Sequence, residues 1–211
     1  MLFIYCAGGF GKEVRDIALR TGLLDSSILF IDDARHHESE DIISFEHFKR
    51  IRVDSDQVII AHGEPCVRAK IYERLTPLDL PFATLIDPSS SVSPSAHIAP
   101  GVVICPLCVI SCETSISENV LVNTMSIVGH DCSIGTHSVI SSMVNLGGAC
   151  VVKKQVYVGM GSLVRESLTL DDHCVVSMGS VVHRDVPSRH IVQGDPARSR
   201  MLNEDGKIFK R

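Results

Sequence analysis

Residues 101–135, GVVICPLCVISCETSISENVLVNTMSIVGHDCSIG, carry an aliphatic side chain at every sixth position. The series extends beyond the quotation. From Val92, Ile98 and Ile104 onward to Val176 and Val182, sixteen positions in steps of six are Ile, Val or Leu without a miss. With about one position in four aliphatic, such a run is not chance. A period of six fits neither an α-helix nor a coiled coil, but it is compatible with the alternation of a strand. Two residues before each aliphatic stands mostly a small side chain, as at Ser90, Ala96, Cys108, Thr114, Ser126 and Cys132. The pattern predicts short strands forming the three flat sides of a prism. The aliphatic fills the interior, and the small residue is expected to let the chain turn the corner. Coils stacked about 4.8 Å apart bring equivalent positions together every eighteen residues.

The rest of the composition narrows the class. Hydrophobic residues make up 45% of the 211 and charged residues 21%, enough for a packed core. There is no Trp and there are only three Tyr and seven Phe, so small aliphatics must do the packing. The net charge of −5 is spread without a Lys/Arg run, which argues against nucleic acid and acidic membranes as partners. No apolar stretch approaches the ~18 residues of a membrane span. The start MLFIYCAGGFGKEV lacks a basic n-region and a cleavage site, so the expectation is a cytoplasmic protein with reduced thiols. Cys105, Cys108 and Cys112 have zinc-like spacing, but Cys108 falls on the inward small position and the other two in different columns. No metal is expected.

Residues 1–86 read as a separate α/β domain with a Rossmann-like order. LFIYCA is a buried strand, GGFG a glycine turn and KEVRDIALRTG a helix stopped by Gly22. SILFIDD is a second strand ending in Asp32 and Asp33, and QVIIAHG a third ending at Gly63. Glycines at such a turn let backbone N–H groups approach a phosphate or sugar, and a carboxylate accepts from hydroxyls. The same glycines also suit a small domain in which they merely turn the chain. DPSSS at 87–91 marks the switch to the repeat, which runs over 87–197, and 198–211 form a C-terminal tail.

In the six-residue register His130 lies two positions past Val128, on a corner, with Cys112 one coil below and Gly148 one coil above. It therefore projects outward beside the bare backbone of Gly147 and Gly148, with Asp131 able to raise its basicity. The turns GMGS (159–162) and SMGS (177–180) stack on another corner and place Met160 over Met178.

These features resemble the NeuD/PglD-type sugar acyltransferases. The resemblance runs from YCAGGFGKEV through FIDD, AHGEPCVRAKI and FATLIDPSSSVSPSAHIAPGVVI to VNTMSIVGHDCSIG, GSVVHRDVP and VQGDPAR, nearly the whole chain. It implies an α/β Rossmann-like domain followed by a left-handed parallel β-helix of about five coils. It also implies a homotrimer with acetyl-CoA in the groove between neighbouring β-helices and a nucleotide sugar held by the N-terminal domain. By the same resemblance His130 is the base and Asp131 its acidic neighbour. Gly8, Gly9, Phe10, Asp32, Asp33, Gly63 and Asn123 bind substrate, while Val139, Gly148, Met160 and Met178 lie on the acyl-carrier side. Two positions depart from the pattern: Val139 stands where many relatives have a second histidine, and Phe10 where some have a histidine in the glycine turn. Arg198 in GDPAR is placed to meet CoA phosphates or to be a solvated tail residue.

The expected reaction is acetyl transfer from acetyl-CoA to the amine of a nucleotide-linked amino-deoxysugar. The alternatives are O-acetylation of a sialic acid and, more remotely, a non-catalytic scaffold that binds nucleotide sugars. Metal hydration chemistry needs three converging histidines, and His130, His137 and His173 do not share one place in the register.

Overall fold

The computed structural model describes residues 1–209. Its N-terminal part alternates strand and helix: β1 (Leu2–Tyr5), α1 (Gly9–Arg20), β2 (Ile28–Ile31), β3 (Ile42–Ile43), α2 (Phe45–Ile51), β4 (Gln57–Ile60) and α3 (Pro65–Leu75). The strands form one parallel sheet in the order β3-β2-β1-β4. β1 is buried along its whole length, as a parallel strand covered on both faces must be. The tight step from β1 into α1 requires Gly11, where a Cβ would stand 2.2 Å from the Cys6 carbonyl oxygen.

The hexapeptides fold as the period predicts. Two-residue strands from β5 (Leu85–Ile86) to β21 (Val181–Val182) pair in parallel with partners eighteen residues away, as Ile127 does with Val109 and Asn145. They build a five-stranded wall, a six-stranded wall and an eight-stranded wall, the last completed by β22 (His190–Gln193) and β23 (Arg198–Leu202). The column has about six coils, one more than expected, because Leu85–Ile86 already occupies the place before Val92. The aliphatics from Ile104 to Val182 form one continuous buried cluster inside it.

The corner itself differs from the expectation. The left-handed backbone residue is the one before the small inward residue: Leu107, Glu113, Asn119, Met125, Asp131 and His137 all have φ between 54° and 63°. The inward residue is small because the prism narrows beside its edge. It also has a second task. Thr114 donates to the Gly129 carbonyl, Ser126 to Ser141 and Ser138 to Lys153, each fifteen residues on, at 2.7–3.0 Å. The Cys132 and Cys150 thiols use the same geometry toward Gly147 and Arg165, both at 3.2 Å. Ser, Thr and Cys thus recur here because they fit and because they satisfy a corner carbonyl. Cys105 faces the α/β domain, Cys108 the interior and Cys112 solvent.

The α/β domain docks on the eight-stranded wall. Val14, Ile17 and Ala18 of α1 share a buried cluster with Val103, Leu121 and Val139. Arg68 of α3 locks the seam. It is 0% exposed and faces only neutral acceptors. Nε donates to Asn119 O at 2.9 Å, Nη2 to Asn119 Oδ1 at 2.6 Å, and Nη1 to the carbonyls of Ile60 and His62 at 2.8 and 3.0 Å. Burial pulls its guanidinium down to about 9. Arg68→Met would leave four acceptors unsatisfied. It is expected to destabilise the chain by about 2–5 kcal/mol in urea unfolding; a loss under about 1 kcal/mol would show that the latch is dispensable.

Beyond the repeat, β23 pairs antiparallel with β22, so residues 198–202 are a strand rather than a loose tail. The chain then crosses the seam: Ile208 N–H donates to Glu64 Oε1 at 2.7 Å, and Phe209 meets the Tyr157 ring edge-on.

Candidate active site

His130 and Asp131 are the two residues of one corner turn, with Asp131 in the left-handed region at φ 58°, which a short polar side chain tolerates. Their backbones are held from below and above, Asp131 N–H donating to Cys112 O and Ala149 N–H to His130 O. Both side chains project outward, 63% and 59% exposed. Asp131 Oδ2 lies 2.6 Å from His130 Nδ1. An ionised carboxylate only accepts, so the ring proton is on Nδ1 and the lone pair on Nε2. Nε2 lies over Gly148, where a Cβ would come within 2.5 Å of it. Among the described residues the Gly148 N–H has no acceptor. A basic nitrogen, a carboxylate that orients it and an unused amide thus meet at one exposed edge.

That edge separates the five-stranded wall from the six-stranded one. Asn123, Met160 and Met178 stand on or beside the opposite edge of the six-stranded wall, where Gly179 N–H stacks on Met160 O at 2.8 Å. Within one chain they do not converge with His130. Val139 is reached by neither group: at 2% exposed it is enclosed between the eight-stranded wall and the α/β domain. The outward face of its wall is the docking face, so the Val139 side chain meets the α/β domain rather than the edge that carries His130.

The α/β residues collect at the carboxyl edge of their sheet. Ala7 N–H donates to Asp32 Oδ2 at 3.0 Å, tying the Gly8–Gly9 turn to the end of β2. Asp33 accepts from Phe45 N–H at 2.8 Å and from Arg74 at 3.1 Å. Burial raises this carboxyl, but the Phe45 amide and Arg74 outweigh it and hold it below the usual range. Gly9 and Gly63 face open space where a side chain would stand, and Phe10 packs half-buried on the domain core. Arg198 is exposed in β23 and lines a cleft of about 200 Å³ with Arg184. The sequence reading missed Arg68, His62 and the folded C-terminal segment. A lone Arg on a helix carries no periodic signal; only the fold shows it turned inward.

The outward face of the six-stranded wall was also not foreseen. Val109, Ile127 and Leu163 from its strands, with Leu107, Met125 and Met143 from its edge, are each 41–57% exposed. An apolar patch of this kind on a protomer marks an interaction surface.

The fold and these sites define a class in which a small α/β domain is fused to a β-helix with an exposed edge histidine. Residues 1–75 match the family model of the PglD N-terminal domain. The whole chain superposes on the acetyltransferase domain of PglB from Neisseria gonorrhoeae FA1090 in complex with acetyl coenzyme A. The two share 28% identity at a TM-score of 0.89, covering 94% of this chain and 98% of that one. WeeI from Acinetobacter baumannii AYE is similar at 25% identity and a TM-score of 0.89, covering 95% and 99%. PerB from Caulobacter crescentus, solved with CoA and GDP-perosamine, shares the fold at 23% identity and a TM-score of 0.88, covering 95% and 97%. The chain thus carries the PglD N-terminal domain and is similar along nearly its whole length to NeuD/PglD-type acetyltransferases, with a Rossmann-like domain followed by a left-handed parallel β-helix.

Proposed function

We propose that the chain is an acetyl-CoA-dependent N-acetyltransferase whose acceptor is the amine of a nucleotide-linked amino-deoxysugar. The observation that carries this reading is the His130 Nε2 lone pair, aimed along Gly148 and oriented by Asp131. The amine nitrogen attacks the thioester carbonyl carbon, and Nε2 takes its proton. The developing oxyanion is met by the free Gly148 N–H. Collapse of the tetrahedral adduct breaks the C–S bond, and the imidazolium returns the proton to the CoA thiolate. Asp131 stabilises the transient imidazolium without taking its proton.

The site works between copies, in a homotrimer. His130 lies on one edge of the six-stranded wall, whereas the α/β domain, Asn123 and Met160 lie toward the other. A neighbour seated on the exposed apolar wall brings its opposite edge to this His130. The glycine turn at Gly8–Gly9 and the Asp32 and Gly63 strand ends hold the nucleotide sugar. Met160 and Met178 flank the pantetheine arm of the carrier, and Arg184 and Arg198 face its phosphates.

The test is thiol release from acetyl-CoA with UDP-, dTDP- and GDP-linked amino sugars against free sialic acid. Turnover with a nucleotide amino sugar and a mass gain of one acetyl supports the reading. Turnover with sialic acid alone replaces it by O-acetylation, and nucleotide-sugar binding without turnover makes the chain a scaffold. A finer check is Gly148→Ala. Its methyl displaces an exposed, flexible ring rather than backbone, so stability is expected to hold while kcat falls about 10- to 100-fold. Unchanged kcat would move the base elsewhere.

A further inference from the structure

In an open parallel sheet, ligands bind outside the carboxyl ends of the strands where the order reverses direction. Here that point lies between β1 and β4, because β2 leaves β1 on one side and β4 on the other. Ala61 N–H donates to Tyr5 O at 3.0 Å, which carries the β1–β4 ladder past the strands and sets His62 and Gly63 alongside Ala7 and Gly8. His62 therefore stands beside the glycine turn at the carboxyl edge of the sheet, where that order places a ligand.

Its ring is half-buried and its tautomer is fixed. Nδ1 accepts from the Glu64 N–H at 3.1 Å, so the proton is on Nε2. Nε2 has no partner among the described residues. Burial, with the Arg68 charge, outweighs the opposing pull of the Glu64 carboxylate and holds the imidazole below its ordinary range, so the neutral form prevails at pH 7. The Glu64 carboxylate, the nearest acidic group in sequence, is taken up by Ile208 N–H. The His62 backbone is pinned as well, since its carbonyl accepts from the Arg68 guanidinium that grips Asn119 of the β-helix. The molecule thus presents a neutral N–H donor with no partner of its own at that edge of the sheet. Phosphate charge is drawn instead to the N-terminus of α1 and Lys12. A neutral donor suits a neutral acceptor.

We propose that His62 is a specificity-determining residue whose Nε2–H donates to a carbonyl or ring nitrogen of the bound nucleotide's base. This rests on the nucleotide-sugar reading above and sharpens it, because sites that hydrogen-bond a polar group reject ligands lacking it.

The experiment is calorimetric binding of UDP, dTDP, GDP and ADP, and separately of acetyl-CoA, to the full-length wild type, His62→Leu and His62→Gln. The wild type is expected to prefer one base. His62→Leu should weaken that nucleotide about tenfold and compress its lead over the others, while His62→Gln, which keeps an N–H near the Nε2 position, stays within about threefold. Acetyl-CoA affinity should not change. An undiminished preference in His62→Leu overturns the proposal. So does an equal loss for every nucleotide and acetyl-CoA, which would mark a purely structural role. A wild type that binds none of the four nucleotides rejects the nucleotide-sugar reading itself, and His62's role falls with it.

Discussion

Replacing His130 by alanine is expected to lower kcat/KM for acetyl transfer by about 10²- to 10⁴-fold. That corresponds to about 3–5.5 kcal/mol of transition-state stabilisation. The thermal transition, oligomeric state and affinity for CoA should stay at wild-type values, because the side chain packs on no core residue of its own chain and lies beside, not on, the apolar wall. Its removal takes away both the proton acceptor and the group that Asp131 orients, so Asp131→Ala should add little to the loss once His130 is gone. Initial rates of thiol release at saturating acetyl-CoA provide the measurement. An alanine variant within about threefold of wild type would transfer the base role to another residue.

The second large effect concerns assembly. Ile127→Glu with Leu163→Glu places two charges per chain on the exposed apolar wall, where they meet solvent in a lone protomer but would be desolvated against a neighbour. Sedimentation should show monomers, and turnover should drop more than about a hundredfold, because His130 then lacks the opposite edge of a second chain. Unfolding of the column should shift by less than about 1 kcal/mol, as expected for surface substitutions. Monomers that remain fully active would show that one chain holds a complete site. A complementation experiment adds a positive signal. His130→Ala chains mixed and reassembled with Gly9→Val chains should regain about a quarter of wild-type activity. By random assembly that fraction of inter-chain sites pairs an intact imidazole with an intact glycine turn.

The column was legible in the sequence because its physics repeats. Every sixth residue faces an interior too narrow for polar or aromatic bulk, so the requirement is written sixteen times and survives any single exception. The outward placement of His130 followed from the same register, since two past Val128 the chain has left the strand and is rounding a corner. Non-periodic contacts were not legible. Arg68 sits on an amphipathic helix among other charged residues, and only the docking of α3 against Asn119 turns it inward. Val139 was assigned by position in a motif, whereas its neighbours Leu121 and Tyr157 show the wall it belongs to. The left-handed corners hid for a related reason. Leu107, Met125 and His137 adopt positive φ without any glycine to announce it, because the stacked ladder on either side enforces the turn.

The eighteen-residue pairing also makes the column a ratchet with three settings. Inserting six residues after Val164 would rotate everything downstream by about 120° and carry Met178 away from its place above Met160. Inserting eighteen would return each later side chain to its original azimuth and merely raise it by about 4.8 Å. Natural or engineered variants of this scaffold should therefore tolerate length changes in whole turns, and the spacing between the His130 corner and the basic cleft beyond it can be lengthened only in those quanta.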